Sequence, residues 1–542
     1  MKHSSAAYSF LLAIVPVLSL VAKYPGQASL DDLATILILI LAGCAVIYAV
    51  TAFIARRRWH GKLPALAVLL AVLWFYVYND VANHLGRIFG PARHYVLVPT
   101  GLALTVTLAA LLLRKPGWLD RIATFLTLVG VLLVAQFSVR ILWSRYQSQQ
   151  RLGHSRLVRA LARPVTTSAD FRSASPRRDV YLILLDEYAN AAVTRERFGF
   201  DNHVFEDSLR QLGFFIPPVE ESNYLHTTLS LPSLLNAAHL LQLTADAGPD
   251  NSDPTIPNYL VEHNRTARFL RSQGYRFHFF PSQWWLSTRH NGEADNEFQA
   301  WPSLSARELS HTELRRKLRL ISILDQFQLD LSDDYDHLVQ TFAGIRRVAE
   351  RSDTTPAFVF AHVLNPHDPF IFDEHCEPRR RRVAQDGGHR GATLRGYAGQ
   401  LQCLDGLVLR LVDSLMAHSR VPPVILLQGD HGTKTLHASV ERSVSRIAPA
   451  AARERFGAFG AYYLPDGGSK AFSDTVTVVN VMGNVLRYYF GADLPREPDN
   501  LYVSVRSKLF LFKQVEPSWL VSDRTISREP AVVAAPAESR RR

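Results

Sequence analysis

Four short segments of this 542-residue chain carry side chains suited to holding a metal ion. VILLQGDHGTK, Val424 to Lys434, is an apolar run that ends on Asp430 and His431, with Gly432 bending the chain away. DVYLILL ends on Asp186 and Glu187, and AFVFAHVL runs into NPHDPF, which sets His367 and Asp368 just past another apolar run. SNYLHTTLSLPSLLN places Thr227, Thr228 and Ser230 ahead of an apolar, helix-like stretch. Carboxylate and hydroxyl oxygens joined by one imidazole suit Zn2+ or Mn2+ at a site that keeps an open position. Each residue also has an ordinary explanation. Asp or His after a strand is commonly a turn residue, Thr227 alone would be an N-cap, and His367 between two prolines could be a loop histidine. The combination is more specific than its members, because three strand ends and one helix start must meet in one fold.

The elements that would position them follow from patterning. From Asp179 onward the short apolar runs DVYLILL, YRFHFF, AFVFAHVL, VILLQ and GAYYLP alternate with amphipathic stretches at Asn258–Gln273, Leu314–Leu329, Asp336–Arg351, Leu394–Ala417 and Thr475–Tyr489. Continuous apolar runs are what strands covered on both faces look like. Their alternation with helices predicts an α/β domain with a mainly parallel central sheet flanked by helices. In such sheets reactive residues gather beyond the carboxyl ends of the strands, which is where Asp186, His367 and Asp430 fall.

The first quarter is different. Five apolar segments, Ala6–Ala22, Leu33–Ile54, Leu63–Tyr78, Val96–Leu113 and Ile122–Trp143, are each near the length a helix needs to cross hydrocarbon. Arg56, Arg57, Arg58 and Lys62 follow the second, and Arg114, Lys115 and Arg121 the fourth. The loops after the first and third hold only Lys23, Arg87 and Arg93, diluted by Asp31, Asp32 and Asp80. The positive-inside rule then puts the N-terminus in the cytoplasm and everything after the fifth span outside it. The expected domains are a transmembrane bundle at 1–145, a polar basic linker at 146–178, a catalytic domain at 179–515 and a disordered Pro/Ala-rich tail at 516–542. The net charge of +11 suits anionic lipid and cytoplasmic loops; no basic helix interleaved with aromatics points to nucleic acid.

These residues resemble the alkaline phosphatase/sulfatase superfamily in its membrane-anchored branch. Five spans followed by an external domain is similar to the layout of phosphoethanolamine transferases and lipoteichoic acid synthases. Thr227-x-x-Ser230-x-Pro232 looks like the nucleophile segment of the former, Asp186 like the first acidic ligand, Asp430-His431-Gly432 like the second metal motif, and NPHDPF like the segment whose histidine contacts the transferred phosphate. AHVLNPHDPFIFD and GAYYLP are shared with sulfatase-like membrane proteins without assigned substrates. The resemblance implies one divalent ion, Zn2+ or Mn2+, held by Asp186, Thr227, Asp430 and His431, with Thr227 as nucleophile and His367 as a second catalytic group. His367, His437 and Glu187 are the expected substrate-binding set. It further implies a multi-pass protein of the bacterial inner membrane that faces the periplasm. Its donor would be a membrane phospholipid and its acceptor an envelope glycan or glycolipid. A hydrolase of phosphate or sulfate esters and a catalytically silent membrane partner are the alternatives.

Two features stand apart from the family pattern. The chain has three cysteines where phosphoethanolamine transferases carry several disulfides. An oxidising location makes a bridge between Cys376 and Cys403 the expectation, because Cys44 sits within the second span. CEPRR, Cys376 to Arg380, also satisfies the pattern converted to formylglycine in sulfatases. It lies 190 residues beyond Asp186, after the His367 segment, while Thr227 already fills the nucleophile position. The match reads as accidental in an arginine-rich stretch.

Overall fold

The computed structural model describes residues 6–23, 30–55, 62–89, 93–114, 116–168, 171, 177–282, 288–298, 332–351, 353–368, 370–383, 390–435 and 447–515. The helix expected at Leu314–Leu329, the residue His437 and the tail 516–542 lie outside this set.

Helices α1 (Ala7–Lys23), α2 (Leu30–Ile54), α3 (Lys62–Phe89), α4 (Arg93–Leu113) and α5 (Pro116–His154) make up the N-terminal region. They leave large apolar side chains facing outward, such as Phe53, Leu104 and Leu132. A helix that is apolar all round is built for lipid, not for water. By length and composition α2, α4 and α5 are able to span a bilayer, and α1 and α3 contain shorter apolar helices. The protein is a membrane protein.

α5 continues to His154, eleven residues past the Trp143 end expected for its span. The added residues, SRYQSQQRLGH, are mostly straight-chain helix formers, so the helix leaves the apolar zone without breaking. Its end is anchored on the domain that follows. The Ser148 hydroxyl donates to Asp253, and Asp246 accepts from the Ser155 hydroxyl at 2.6 Å and from Leu157 N at 2.9 Å. Ser155 caps a short helix, Arg156–Leu161. The stretch read as a linker is therefore helical over its first half.

The domain that follows is built on a seven-stranded sheet. Its strands are β1 (Val180–Leu185), β2 (Phe214–Phe215), β4 (Arg276–Phe280), β5 (Asn296–Glu297), β6 (Ala357–Val363), β9 (Val424–Gly429) and β10 (Gly460–Tyr463), in the order β2-β10-β9-β1-β6-β4-β5. Outside it lie β3 (Val219–Glu221), β7 (Phe370–Phe372), β8 (Pro378–Val383) and β11 (Thr475–Thr477). β1 is parallel to both β6 and β9, and β4 is parallel to β5 and β6; β10 is antiparallel to β9 and β2. Every residue of β1, β6 and β9 is buried, as their apolar runs require.

The period-two alternation sorts these strands between two cores. Tyr181, Ile183, Leu185, Val359, Ala361, Ile425 and Leu427 pack with Leu401, Leu404 and Val408 of the Arg390–His418 helix. Val180, Leu182, Leu184, Phe358, Phe360, Val424 and Leu426 pack on the other face with Leu231 and Leu234 of the Thr227–Asn236 helix and Val485 of the Val478–Phe490 helix. Full burial of each such side chain contributes about 1.5–3 kcal/mol, so the inner strands are fixed firmly against both layers.

Two expected helices are divided. Asn258–Gln273 becomes Thr255–Glu262 and Arg265–Ser272, because the Asn264 side chain accepts from Ala267 N and starts a second helix. Thr475–Tyr489 begins as β11, where the β-branched residues Thr475, Val476 and Thr477 pair with β3 before the helix starts at Val478. Cys376 and Cys403 are joined by a disulfide, which ties the loop after β7 to the Arg390–His418 helix.

Candidate metal centre

Strand register brings the site together. Leu184 stands opposite His362 on one side and Gln428 on the other, and Leu185 pairs with Gly429. Asp186 and Asp430 come one residue further on adjacent strands. Both continue the even-numbered positions that face the Thr227–Asn236 helix. Thr227 is the first residue of that helix, so its hydroxyl reaches His431 and Asp430 at the open end of the sheet. Gly432 makes the turn possible: a Cβ there would lie 2.0 Å from the Glu454 carbonyl oxygen and 2.7 Å from that of Gly457. Glu454 holds the rest of the turn, with Oε1 accepting from the Thr433 hydroxyl at 2.8 Å, Thr435 N at 2.6 Å and the Thr435 hydroxyl at 2.7 Å.

Asp186, Asp430 and His431 are completely or almost completely buried, and they form one group with metal-binding geometry. His431 Nδ1 lies 3.1 Å from the Gly432 carbonyl and donates to it, which leaves the Nε2 lone pair facing inward. That atom is 3.0 Å from Thr227 Oγ1 and 3.1 Å from Asp430 Oδ2. Asp430 Oδ1 accepts from the main-chain N–H of Glu187 and of His431, but among the described residues Asp430 Oδ2 and both oxygens of Asp186 have no hydrogen-bond donor. Buried carboxylate oxygens without donors are costly to leave alone. Burial, reinforced by the neighbouring Asp186 charge, pushes the Asp430 carboxyl well above its usual range. Burial and then Arg455 hold His431 well below its own, in the neutral state that a metal ligand requires. Two carboxylates, a hydroxyl and an inward imidazole lone pair fit a divalent cation.

Glu187 points elsewhere. Its backbone has φ of 57°, in the left-handed region that costs a non-glycine residue about 1–2 kcal/mol. Its carboxylate is 2.6 Å from Arg455 Nη1 and 3.3 Å from Lys434 Nζ. Burial alone would raise its pKa, but His367, Lys434 and Arg455 outweigh that and bring it down to about 2. His367 N donates to the Asp186 carbonyl at 3.1 Å, so the second cluster is hinged directly on the first. His367 Nδ1 lies 2.5 Å from the Asp368 carbonyl, and His367 Nε2 lies 3.0 Å from Lys434 Nζ. Arg455 bridges the two groups, with Nη2 3.3 Å from His431 Nε2 and Nη1 on Glu187.

Thr227, Asp186, Asp430, His431, His367 and Glu187 thus meet in one place. Ser230 is occupied structurally, bonding the Ser222 hydroxyl at 2.8 Å and the Tyr224 carbonyl at 3.2 Å. Four further residues escaped the sequence. Lys434 closes the stretch that first draws attention, but a lysine in a turn has too many ordinary uses to stand out. Arg455 and Glu454 sit in ARERF, which resembles any charged helix. His362 faces the site from within β6, with Nε2 3.5 Å from Asp186 Oδ2 and, among the described residues, no hydrogen bond to either ring nitrogen; its signal was a histidine inside an otherwise apolar strand.

Residues 207–473 match the family model described as Sulfatase. That model covers just under half of the chain, the part that holds Thr227, His367, Asp430 and His431. The C-terminal periplasmic domain of EptC from Escherichia coli is 11% identical, with a TM-score of 0.42 over 65% of this chain and 96% of that one. Lipooligosaccharide phosphoethanolamine transferase A from Neisseria meningitidis is 12% identical, with a TM-score of 0.37 over 91% of this chain and 96% of its own. A Bacteroides fragilis protein described as a candidate sulfatase is 12% identical, with a TM-score of 0.38 over 62% and 84%. No curated protein matches the chain. Cys376, the residue of the formylglycine-like pattern, is bonded to Cys403 and is not among the residues of the metal group.

Proposed function

We propose that this protein is a metal-dependent phosphotransferase of the bacterial inner membrane. It would move a phospholipid-derived head group to an envelope glycan or glycolipid through a phosphothreonine intermediate. The catalytic domain, residues 179–515, would face the periplasm, held there by the bundle formed by residues 1–145. The observation that carries this reading is the Thr227 hydroxyl, set at a helix start 3.0 Å from His431 Nε2 and beside three buried carboxylate oxygens without donors.

Asp186, Thr227, Asp430 and His431 would hold the ion, Zn2+ or Mn2+. When bound, it lowers the pKa of the coordinated hydroxyl and offsets charge on the phosphoryl oxygens. Thr227 Oγ attacks phosphorus, and the bond from phosphorus to the lipid oxygen breaks. An acceptor hydroxyl then attacks the same phosphorus and frees Thr227. The first turn of the Thr227–Asn236 helix presents N–H groups to the anion, since His226 supplies no side-chain cap. His367 is assigned to the substrate phosphate, and His437 is proposed as a further substrate-binding residue. The Sulfatase match favours the alternative, a hydrolase of the same fold in which water replaces the acceptor.

The test is turnover and intermediate trapping with the full-length protein and labelled phospholipid. Thr227→Ala should abolish transfer and remove the head-group adduct from the peptide containing residue 227. Cys376→Ala should retain turnover. An active threonine variant beside a dead cysteine variant would replace this mechanism with that of a sulfatase. Lipid mass spectrometry of cells with and without the protein identifies the missing decoration.

A further inference from the structure

The Arg390–His418 helix packs on the sheet through Leu401, Leu404 and Val408, yet it also buries Tyr397 and Gln400 completely. Leucine would serve the packing as well, and a buried hydroxyl or amide is costly unless it is hydrogen-bonded. Both are bonded, and their partners are main-chain groups of the two segments that carry the site. The Tyr397 hydroxyl accepts from Ala189 N at 3.1 Å and donates to the Glu187 carbonyl at 2.9 Å. Gln400 Nε2 donates to the carbonyls of Pro366 at 3.0 Å and His367 at 3.2 Å, and Oε1 accepts from Ile371 N at 2.8 Å. One hydroxyl thus spans the turn that follows Asp186, and one amide spans the segment that holds His367 and Asp368. We propose that Tyr397 and Gln400 are positioning residues, the first holding the Asp186 turn and the second the His367 segment, each by its own bonds.

The two segments need holding for different reasons. Among the described residues the oxygens of Asp186 have no hydrogen-bond donor, so the aim of this side chain depends on its backbone. The next residue, Glu187, has φ of 57°, and a left-handed non-glycine persists only where its surroundings over-determine it. Tyr397 supplies two of those restraints. Asp405, on the same helix, adds a third by accepting from the Tyr188 hydroxyl at 2.6 Å. The Tyr397 ring is itself locked, stacked on Phe198 at 4.2 Å and edge-on to Phe370 at 6.2 Å. On the other side, the His367 segment leads into Phe370 of β7, which approaches the helix so closely that a Cβ on Gly396 would lie 2.5 Å from its ring. Gln400 ties down the main chain on both sides of that contact. The segments also touch each other, through His367 N on the Asp186 carbonyl, so one helix sets the spacing between a metal ligand and the phosphate histidine. The proposal rests on the roles given to Asp186 and His367 under the proposed function, but the hold on each segment can be measured without metal.

The experiment is hydrogen exchange read by mass spectrometry on the full-length protein in detergent, paired with Zn2+ affinity measured by competition with a chelating dye. Tyr397→Phe removes one hydroxyl and should speed exchange in the peptide over residues 186–190. Its Zn2+ affinity should fall about 10–100-fold, the range for outer partners of metal ligands. Gln400→Met should speed exchange over residues 366–372 and lower kcat/KM for labelled phospholipid about 10-fold or more, with Zn2+ affinity near that of the wild type. Val408→Ala, on the same helix but with a side chain that can bond neither segment, should lower Tm and change neither exchange pattern. Equal loss of protection in both segments for either variant overturns the proposal, as does a Tyr397→Phe or Gln400→Met map no different from that of Val408→Ala. If one of the two variants fails to fold by circular dichroism, the map of the other decides, since each must confine its effect to one segment. A wild type that binds no Zn2+ refutes the metal centre of the proposed function instead, and the exchange maps still decide for or against the two positioning residues.

Discussion

Glu220 on β3 illustrates how burial alone changes what a side chain does. Its carboxyl is pushed up to about 8 by burial, against the opposing hydrogen bonds from Tyr462 and Gln428. Both donors reach Oε1 at 2.6 Å, so the protonated acid keeps its partners. Between pH 4.5 and about 8 the folded protein binds a proton that the unfolded chain has released. Stability from this group is therefore fully present below pH 4.5 and is lost as pH rises through 8, with a slope of at most about 1.4 kcal/mol per pH unit. Glu220→Gln keeps an oxygen acceptor and cannot ionise, so it should flatten the fall in Tm over that window while leaving turnover unchanged. A variant profile as steep as the wild type's would refute the assignment. Asp405, also pushed to about 8 by burial, contributes in the same direction, so part of the slope remains in the variant. The sequence pointed to Asp186, Thr227, Asp430 and His431 because an acid or hydroxyl at the end of an apolar run has few reasons to be there. Glu220, Lys434 and Arg455 look like surface charges in one dimension; only the fold buries them.

At the scale of the element, the turn after β9 does most to shape the site. The same substitution at two glycines shows why. Gly432→Ala would drive a Cβ to 2.0 Å from the Glu454 carbonyl, and backbone must move to admit it. Overpacking of this kind costs about 1–3 kcal/mol, and it would displace His431 and the Thr433–Thr435 turn clamped by Glu454. Metal content should fall along with Tm. Gly406→Ala lies inside the Arg390–His418 helix, where a Cβ would meet only Arg410 Nη1, at 3.6 Å. That change should leave metal binding intact and raise stability by up to about 1 kcal/mol. Equal metal loss in both variants would contradict the special place given to Gly432. Element type was legible wherever a run was long and uniformly apolar, as in β1, β6 and β9. It was less legible where a local signal competed with periodicity: Asn264 restarts a helix inside an amphipathic stretch, and the β-branched residues of β11 form a strand before the Val478–Phe490 helix.

The whole molecule couples its membrane helices to the catalytic domain through the continuous α5 helix, whose end is held by Asp253 and Asp246. A domain fixed in this way shares the compartment at the outer end of α5. Under the proposed function that side is the periplasm, an oxidising environment in which a disulfide persists. Cys376 and Cys403 are bonded and 27 positions apart, and closing a loop of that length stabilises by roughly 3 kcal/mol in the chain-entropy model. The free thiol, Cys44, is buried within α2. Orientation and bonding can therefore be read together from intact cells. In unreduced, denatured protein a thiol-reactive polymer should label one cysteine, Cys44, and after reduction all three. Cys376→Ser and Cys403→Ser should each expose the remaining partner to labelling and lower Tm by the same amount, since either change opens the same loop. Turnover at moderate temperature should survive both, because neither sulfur lies in the metal group. Three labelled cysteines before reduction would place the domain on the reducing side of the membrane, and with it the donor and acceptor proposed here.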